Sequence, residues 1–466
     1  MTEVTIVGAG ITGLTAAYEL HRRGLRPRVL EAGPRAGGLI RTERVDGFTI
    51  EAGPDSVLAS KPAALDLVRE LGLGDQIQQV RTPGAFVLRG HRLFRLPSPS
   101  LLGLPLTWRA LLTYDLLPWR ARVRLARSFL VPSRPRTNSG GVNADSSADV
   151  EDVSVAEFFR ARFGPETVDL IAQPLLGGIH AGNIEQLSMA SLFPRLLTGG
   201  ARPASHGGRT GVRPGSDAGE NGVRPASDPF RPDVAGSVSP FRSLRGGMAT
   251  LVEALETHLP SGTVSYDTPV RTLPSTPVIL TAPGYVAATL IEAIDADAAR
   301  LCADVPYVST ASVALAWPRT AVPHPLDGTG FVVARRHSDV RITACTWVSS
   351  KWTDRAPDDM ALLRAFIGGA HDPDVVDLTD DEIVAIVRRD LSAVLGIIAA
   401  PALARVYRWR RVGAQHTVGH LQRVAEIERR LVPRGIFVAG SGFRSVGIPD
   451  CVSDAKRVAA QAAAFV

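Results

Sequence analysis

The chain opens with an apolar run at positions 4–7, crosses a glycine-rich turn and continues as an amphipathic helix ending near Gly24, after which a second apolar run occupies 28–30. Strands buried on both faces of a parallel sheet read as continuous apolar runs, so this order predicts a βαβ unit. Residues 263–270 and 277–283 read as further strands, and 435–442 as a strand entering a glycine turn, followed by a helix over 449–465. Because the first and last segments belong to one such unit, the region between them is predicted to be inserted into it. Residues 98–131 alternate apolar groups (Leu101, Trp108, Leu112, Leu116, Trp119) with Arg120, Arg122, Arg124 and Arg127, and Pro105 and Pro118 divide them into short helices. Helices over 153–163 and 167–176 extend this region into a cap over a pocket; an amphipathic face resting on a membrane is the second reading of the same pattern. Helical periodicity also marks 248–259 and 380–395.

Two segments break these patterns. Residues 133–150 are small and polar and predict a loop. Residues 198–240 are rich in Gly, Pro, Ser and Arg and carry a local duplication, GVRPGSD at 211–217 against GVRPASD at 222–228. Such a composition buries too little apolar area to offset chain entropy, which predicts a disordered surface insertion.

Composition adds bounds rather than detail. At 466 residues the chain exceeds the usual single core, so two interleaved domains are expected. The net charge of +6 comes almost entirely from arginine, since Lys61, Lys351 and Lys456 are the only lysines. No basic run interleaved with aromatics marks a nucleic-acid face, which argues against nucleic-acid binding; the positive excess suits an anionic substrate or an acidic membrane surface. Cys302, Cys345 and Cys451 are too few and too scattered for a disulfide framework or a zinc site, so no metal is expected and a reducing compartment fits. The first strand starts too close to Met1 for a signal peptide, and no apolar stretch reaches the roughly 18 residues of a spanning helix. These points predict a cytoplasmic protein or one peripheral on the inner face of the membrane, and leave its oligomeric state open.

The sharpest chemical signal is the turn Gly8-Ala9-Gly10-Ile11-Thr12-Gly13 between the first strand and helix. Gly8 permits the tight turn, Gly10 lets backbone approach a pyrophosphate, and Gly13 lets helix pack on strand, while the helix N-terminus offers free N–H groups to phosphate. Glu31, at the end of the second strand and eighteen residues past Gly13, is placed to accept from a ribose hydroxyl. Strand, glycines, helix, strand and acid in this order predict a dinucleotide site.

Beyond Glu31, residues 35–42 read RAGGLIRT and 47–54 read GFTIEAGP, which resemble the flavin amine oxidase superfamily and imply FAD as the dinucleotide. Four blocks narrow the resemblance: FTIEAGP at 48–54, PLLGGIHAGN at 174–183, RGGMATL at 245–251 and RSVGIPDC at 444–451. Together they resemble the oxygen-dependent protoporphyrinogen and coproporphyrinogen oxidases of haem synthesis. ITACTW at 342–347, Lys351-Trp352 and AHDPDVVDL at 370–378 look most like the bacterial coproporphyrinogen III branch, with protoporphyrinogen IX as the alternative substrate. The fold implied is α/β: a Rossmann-type FAD-binding domain (1–80, 241–283 and 416–466) with an inserted α+β substrate domain (81–97 and 284–415), a helical cap over 98–197 and the insertion at 198–240. FAD would be held by Gly8, Ala9, Gly10, Ile11, Thr12, Gly13, Glu31, Ala32, Arg35, Gly37, Gly38, Leu39, Gly53, Pro54, Val270, Gly440, Val446, Gly447 and Ile448.

The resemblance implies that hydride leaves a meso carbon of the porphyrinogen for the flavin, that dioxygen takes up the electrons to give hydrogen peroxide, and that three such cycles give the porphyrin. A site of this kind needs few acid–base groups. Gly177 and Gly178 would lie beside the flavin, Phe331 and Trp347 would stack on pyrroles, and His180 is the one weak candidate for a catalytic proton acceptor. Hand-off of product to the next haem-synthesis enzyme is a further implied partnership. Three positions depart from the family pattern: Ala85 stands where a basic residue pairs with a propionate, with Arg81, Arg89 or Arg95 as substitutes or the carboxylate left in water as the alternatives; 264–283 is short by about one hairpin; and His416 replaces a tyrosine, with His420 retained. These departures keep two other readings open, a different flavin oxidase or desaturase and a non-catalytic flavoprotein carrier.

Overall fold

The computed structural model describes residues 3–98, 100–130, 152–197 and 239–466. The loop expected over 133–150 and nearly all of the insertion expected over 198–240 lie outside the described residues.

Five parallel strands form the first sheet, in the order Val264–Ser265, Arg26–Leu30, Glu3–Val7, Val278–Leu280 and Ile436–Val438. Their apolar side chains divide between two cores as the pleat requires. Val4, Ile6, Val29, Ile279 and Phe437 meet the helices Ile11–Arg22, Ala249–Thr257 and Ile448–Phe465 on one face. Val7, Val278, Leu280, Ile436 and Val438 meet Gly284–Ile291, Ala296–Ala303 and His420–Leu431 on the other. This placement corrects the expected boundary at residue 284. The apolar faces of the two helices from Gly284 to Ala303 (Ala287, Leu290, Ile291, Ala298, Cys302) cover this sheet, so the nucleotide domain runs through them. The strand expected over 263–270 is reduced to Val264–Ser265, and Val270 packs, half-buried, against the same core.

The substrate domain is a seven-stranded mixed sheet in the order Leu403–Ala414, Tyr307–Pro318, Met360–Gly368, Ala344–Trp347, Gly330–Val333, Phe86–Arg89 and Arg92–Arg95. The helix Asp380–Leu395 covers one face; it starts with a capping box between Thr379 and Glu382 and ends at Gly396 in a left-handed conformation (φ 72°). The opposite face receives the strand Phe48–Glu51 of the nucleotide domain. The cap is built from Trp108–Leu112, Trp119–Leu130, Val155–Phe163 and Val168–Gly177, the last wound in the wider π register with Pro174 inside it. Proline cannot donate to the helical ladder, and π turns are frequent where a helix is bent to shape a site.

Candidate active site

The nucleotide cradle forms where the parallel strands end. Gly8 adopts φ +103°, and a Cβ at Gly13 would stand 1.9 Å from the Gly8 carbonyl oxygen, so only glycine fits there. Gly10 differs: no atom lies within 4 Å of where its Cβ would be, and the helix it precedes has no side-chain cap. An open space beside Gly10 and uncapped N–H groups are what a phosphate requires. Glu31 closes the cradle, accepting from the Ala9 N–H at 2.7 Å and the Gly33 N–H at 2.9 Å, and Ala32 beside it is exposed. The second glycine pair lies on the first turn: Gly37 donates to the Ala9 carbonyl at 2.8 Å, and a Cβ at Gly38 would sit 3.3 Å from Gly10 Cα.

Arg35 holds this loop in shape. Its guanidinium donates to the carbonyls of Ala36, Gly38 and Ile40 at 2.9, 2.7 and 3.2 Å, an arrangement spacing alone did not reveal. The Leu39 carbonyl then passes so close to Gly53 that a Cβ there would stand 1.9 Å from its oxygen, with Pro54 next in the chain. On the last strand's turn, Gly440 (φ +106°) donates to Asp454 at 3.0 Å, and a Cβ there would approach Thr12 Oγ1 to 3.4 Å. Gly447 donates to Asp450 at the start of the final helix, whose first residue is Ile448, while Val446 packs into the cap core. The structure thus gathers Gly8 to Gly13, Glu31, Gly37, Gly38, Gly440 and the Gly447 turn at one end of the sheet, the switch-point position for a dinucleotide. These residues fit FAD.

A small cleft lies between cap and substrate sheet, bounded by Gln173, Pro174, Gly177, Gly178, Ala181 and Gly182 on one side and Val333, Arg335, Thr343, Gly368 and His371 on the other. Gly178 has no atom within 4 Å of its missing Cβ, whereas a Cβ at Gly177 would meet Gln173 Nε2 at 2.3 Å; the first glycine therefore packs and the second leaves room. Gln415 and His416 join this wall to the cradle. Gln415 donates to the His180 carbonyl at 3.0 Å, and His416 donates from Nε2 to the Ser441 carbonyl at 2.8 Å while Nδ1 accepts from Ser191. His416 stacks on His420 at 3.8 Å, and His420 donates to the Phe443 carbonyl at 2.6 Å. His416 and His420 thus form a pair of neutral imidazoles holding two carbonyls of the turn after the last strand.

Two expectations need correction. Phe331 and Trp347 do not line the cleft: they are 3% and 0% exposed, lie in the core shared with Asp380–Leu395, and Trp347 contacts Phe86 and His324 at ring-centroid distances of 5.4 and 4.9 Å. Strand alternation puts them on the face turned to that helix, which aromatic type alone does not indicate. His180 sits on the cap turn beside the cleft, edge-on to Phe193, with its pKa pushed down to about 4 by burial and by His416 and Lys61. It is neutral at pH 7.

A flavin-containing amine oxidoreductase model matches residues 11–463. The chain belongs to that family. Within it, the chain is 34% identical to a coproporphyrinogen III oxidase of Bacillus subtilis, covering 99% of this chain and 98% of that one, and 35% identical to one of Propionibacterium freudenreichii, covering 98% and 90%. Among solved structures, a candidate protoporphyrinogen oxidase from Exiguobacterium sp. 255-15 superposes with a TM-score of 0.79 at 29% identity, covering 98% of both chains. The protein is therefore a flavin-containing oxidoreductase.

Two predictions follow from this geometry. Gly10→Val keeps the fold, because its side chain enters open space, but the purified protein carries no visible flavin absorbance; Gly13→Ala lowers the unfolding midpoint as well, because its methyl meets the Gly8 carbonyl. Retained flavin in Gly10→Val would place the phosphates elsewhere. The buried histidines set an acid limit: burial, together with the neighbouring His416 ring and nearby basic side chains, holds His420 at about 3 and His180 at about 4. Their folded pKa values lie below the unfolded value of ~6.5, so the stability they contribute is present above pH 6.5 and is lost as pH falls toward 4. Denaturant unfolding of the wild type is expected to weaken by roughly 3 kcal/mol between pH 6.5 and 5 through these two groups, and a His180→Gln/His420→Gln double variant to lose most of that slope. An unchanged slope in the double variant would refute this assignment.

Proposed function

We propose that the protein is an FAD-dependent, oxygen-using oxidase that converts coproporphyrinogen III to coproporphyrin III in haem synthesis. The observation that carries this reading is the cleft itself, walled by a glycine turn of the cap and lacking a carboxylate among its lining residues. Loss of hydride from a porphyrinogen meso carbon needs positioning and exclusion of water more than it needs a protein base. FAD, when bound, supplies the hydride acceptor and the route for electrons to dioxygen. The chain's own contribution is steric and electrostatic: Gly178 leaves room for a flat macrocycle edge, the π-wound segment ending at Gly177 sets the wall, and His180, neutral at pH 7, is available to take a pyrrole proton as conjugation proceeds. Similarity to two enzymes named as coproporphyrinogen III oxidases at 34% and 35% identity supports this substrate over protoporphyrinogen IX.

Aerobic porphyrin fluorescence with flavin-loaded protein tests the reading. Coproporphyrinogen III is expected to be oxidised several-fold faster than protoporphyrinogen IX; the reverse preference would move the protein to the other substrate, and no oxidation of either would favour the carrier reading.

A peripheral membrane contact belongs to the same proposal. Among the described residues no helix is long and apolar enough to cross a membrane. The outer face of the cap exposes Leu112 and Trp119, 71% and 68% exposed, beside the exposed arginines Arg109, Arg120 and Arg127. Such a face suits the interface of an acidic bilayer. Cosedimentation with anionic vesicles that is lost in Leu112→Glu/Trp119→Glu would support it, and protein left wholly in the supernatant would rule it out.

A further inference from the structure

We propose that Arg335 is the substrate-carboxylate subsite of the cleft and sets the affinity of the enzyme for a tetrapyrrole bearing propionates; the identity of that ligand rests on the porphyrinogen reading above. The position that resemblance marks for such a contact is Ala85, which has no cation to offer. The sequence left Arg81, Arg89 and Arg95 as substitutes, and none of them lines the cleft. Arg89 donates to the Leu116 carbonyl at 3.1 Å, Arg95 pairs with Asp327 at 3.4 Å and donates to Pro83, and Arg81 is exposed.

Arg335 stands apart from the arginines around it. It follows the strand Gly330–Val333, lines the cleft opposite Gly177 and Gly178, is half-buried, and its guanidinium makes no hydrogen bond or ion pair among the described residues. Its neighbours are all engaged. Arg336 pairs with Asp169 at 3.0 Å, and Arg341 holds the nearby Asp372 through two bonds of 2.8 and 2.9 Å, so Asp372 acts on Arg335 through its charge without forming an ion pair with it. A half-buried guanidinium without a partner is costly, and a fork of N–H donors matches a carboxylate in shape and charge. His371 shares the cleft, and burial together with Arg335 and Arg336 lowers its pKa, so it adds a neutral imidazole beside the guanidinium. The cleft therefore presents one guanidinium without a hydrogen-bonded partner to its ligand, on the wall opposite the glycine turn.

The test uses flavin-loaded full-length protein and two readouts. Equilibrium titration with coproporphyrin III, followed by quenching of tryptophan fluorescence, reports the subsite without turnover; steady-state oxidation of coproporphyrinogen III separates KM from kcat. Arg335→Met is expected to weaken coproporphyrin binding at least tenfold, the scale of a lost charge-assisted hydrogen bond, and to raise KM to a similar extent with kcat within about threefold. Arg335→Lys recovers part of the affinity. Arg336→Met removes the same charge one residue away and is expected to leave the Kd within about twofold. Should Arg335→Met lose flavin, Arg335→Gln carries the same measurement. A Kd for the flavin-loaded Arg335 variant within twofold of wild type overturns the proposal. Failure of the wild type to oxidise any porphyrinogen would instead refute the functional reading, while the titration would still decide whether Arg335 binds a carboxylate.

Discussion

Arg355 reaches from the substrate domain into the nucleotide domain and meets Glu51 at 3.0 Å, with neither side chain exposed to solvent. The rest of the site hangs on this contact and the charges around it. Burial pushes the Glu51 carboxyl up, and Arg355 and two backbone and hydroxyl donors, Met248 N–H and Thr42 Oγ1, hold it in place. Next to it Arg364 donates to the carbonyls of Glu51 and Gly53, and Asp55, despite its burial, is kept far below the usual carboxylate range by Lys351 and Arg364. Breaking one partner of such a pair leaves a charge stranded in the interior, a penalty on the order of 3–5 kcal/mol. The cluster therefore fixes the path of residues 51–55 across the domain junction, and with it the close passage of Leu39 over Gly53.

From that fixed junction the division of labour is plain. One domain supplies a cradle for phosphates, made from backbone N–H groups, an open space at Gly10 and a loop that Arg35 folds onto it. The other supplies a sheet whose faces go to a helix on one side and to the nucleotide domain on the other. The cap lies over the gap, and Gln415 and His416 connect its turn to the flavin-side glycines. Few groups in the cleft can exchange protons, and those that can are held neutral or cationic, an environment suited to hydride removal from an electron-rich macrocycle.

Much of this was legible in the sequence where chemistry demands a particular residue at a particular spacing. The turn Gly8 to Gly13 was legible because Gly8 takes a positive φ and Gly13 leaves no room for a side chain, while Gly10 borders open space and Glu31 lies one βαβ unit away. Parallel strands announced themselves as apolar runs. Features set by long-range packing were hidden. Phe331 and Trp347 were expected to stack on the substrate, yet which face a strand turns inward depends on what covers it. The helices after Gly284 could belong to either domain until their apolar faces were seen against Val278 and Leu280. Arg335 was one arginine among many, and only the engagement of Arg336, Arg341, Arg89 and Arg95 by other groups sets it apart.

The central claim is that the cradle and the cleft form one site in which a bound porphyrinogen delivers hydride directly to the flavin. Anaerobic mixing of flavin-loaded protein with coproporphyrinogen III, followed through the visible flavin absorbance, tests this most directly. The account predicts rapid bleaching of the flavin with saturation in substrate, and full recovery of the absorbance when dioxygen is admitted. A flavin that stays oxidised while the porphyrinogen remains bound would contradict it.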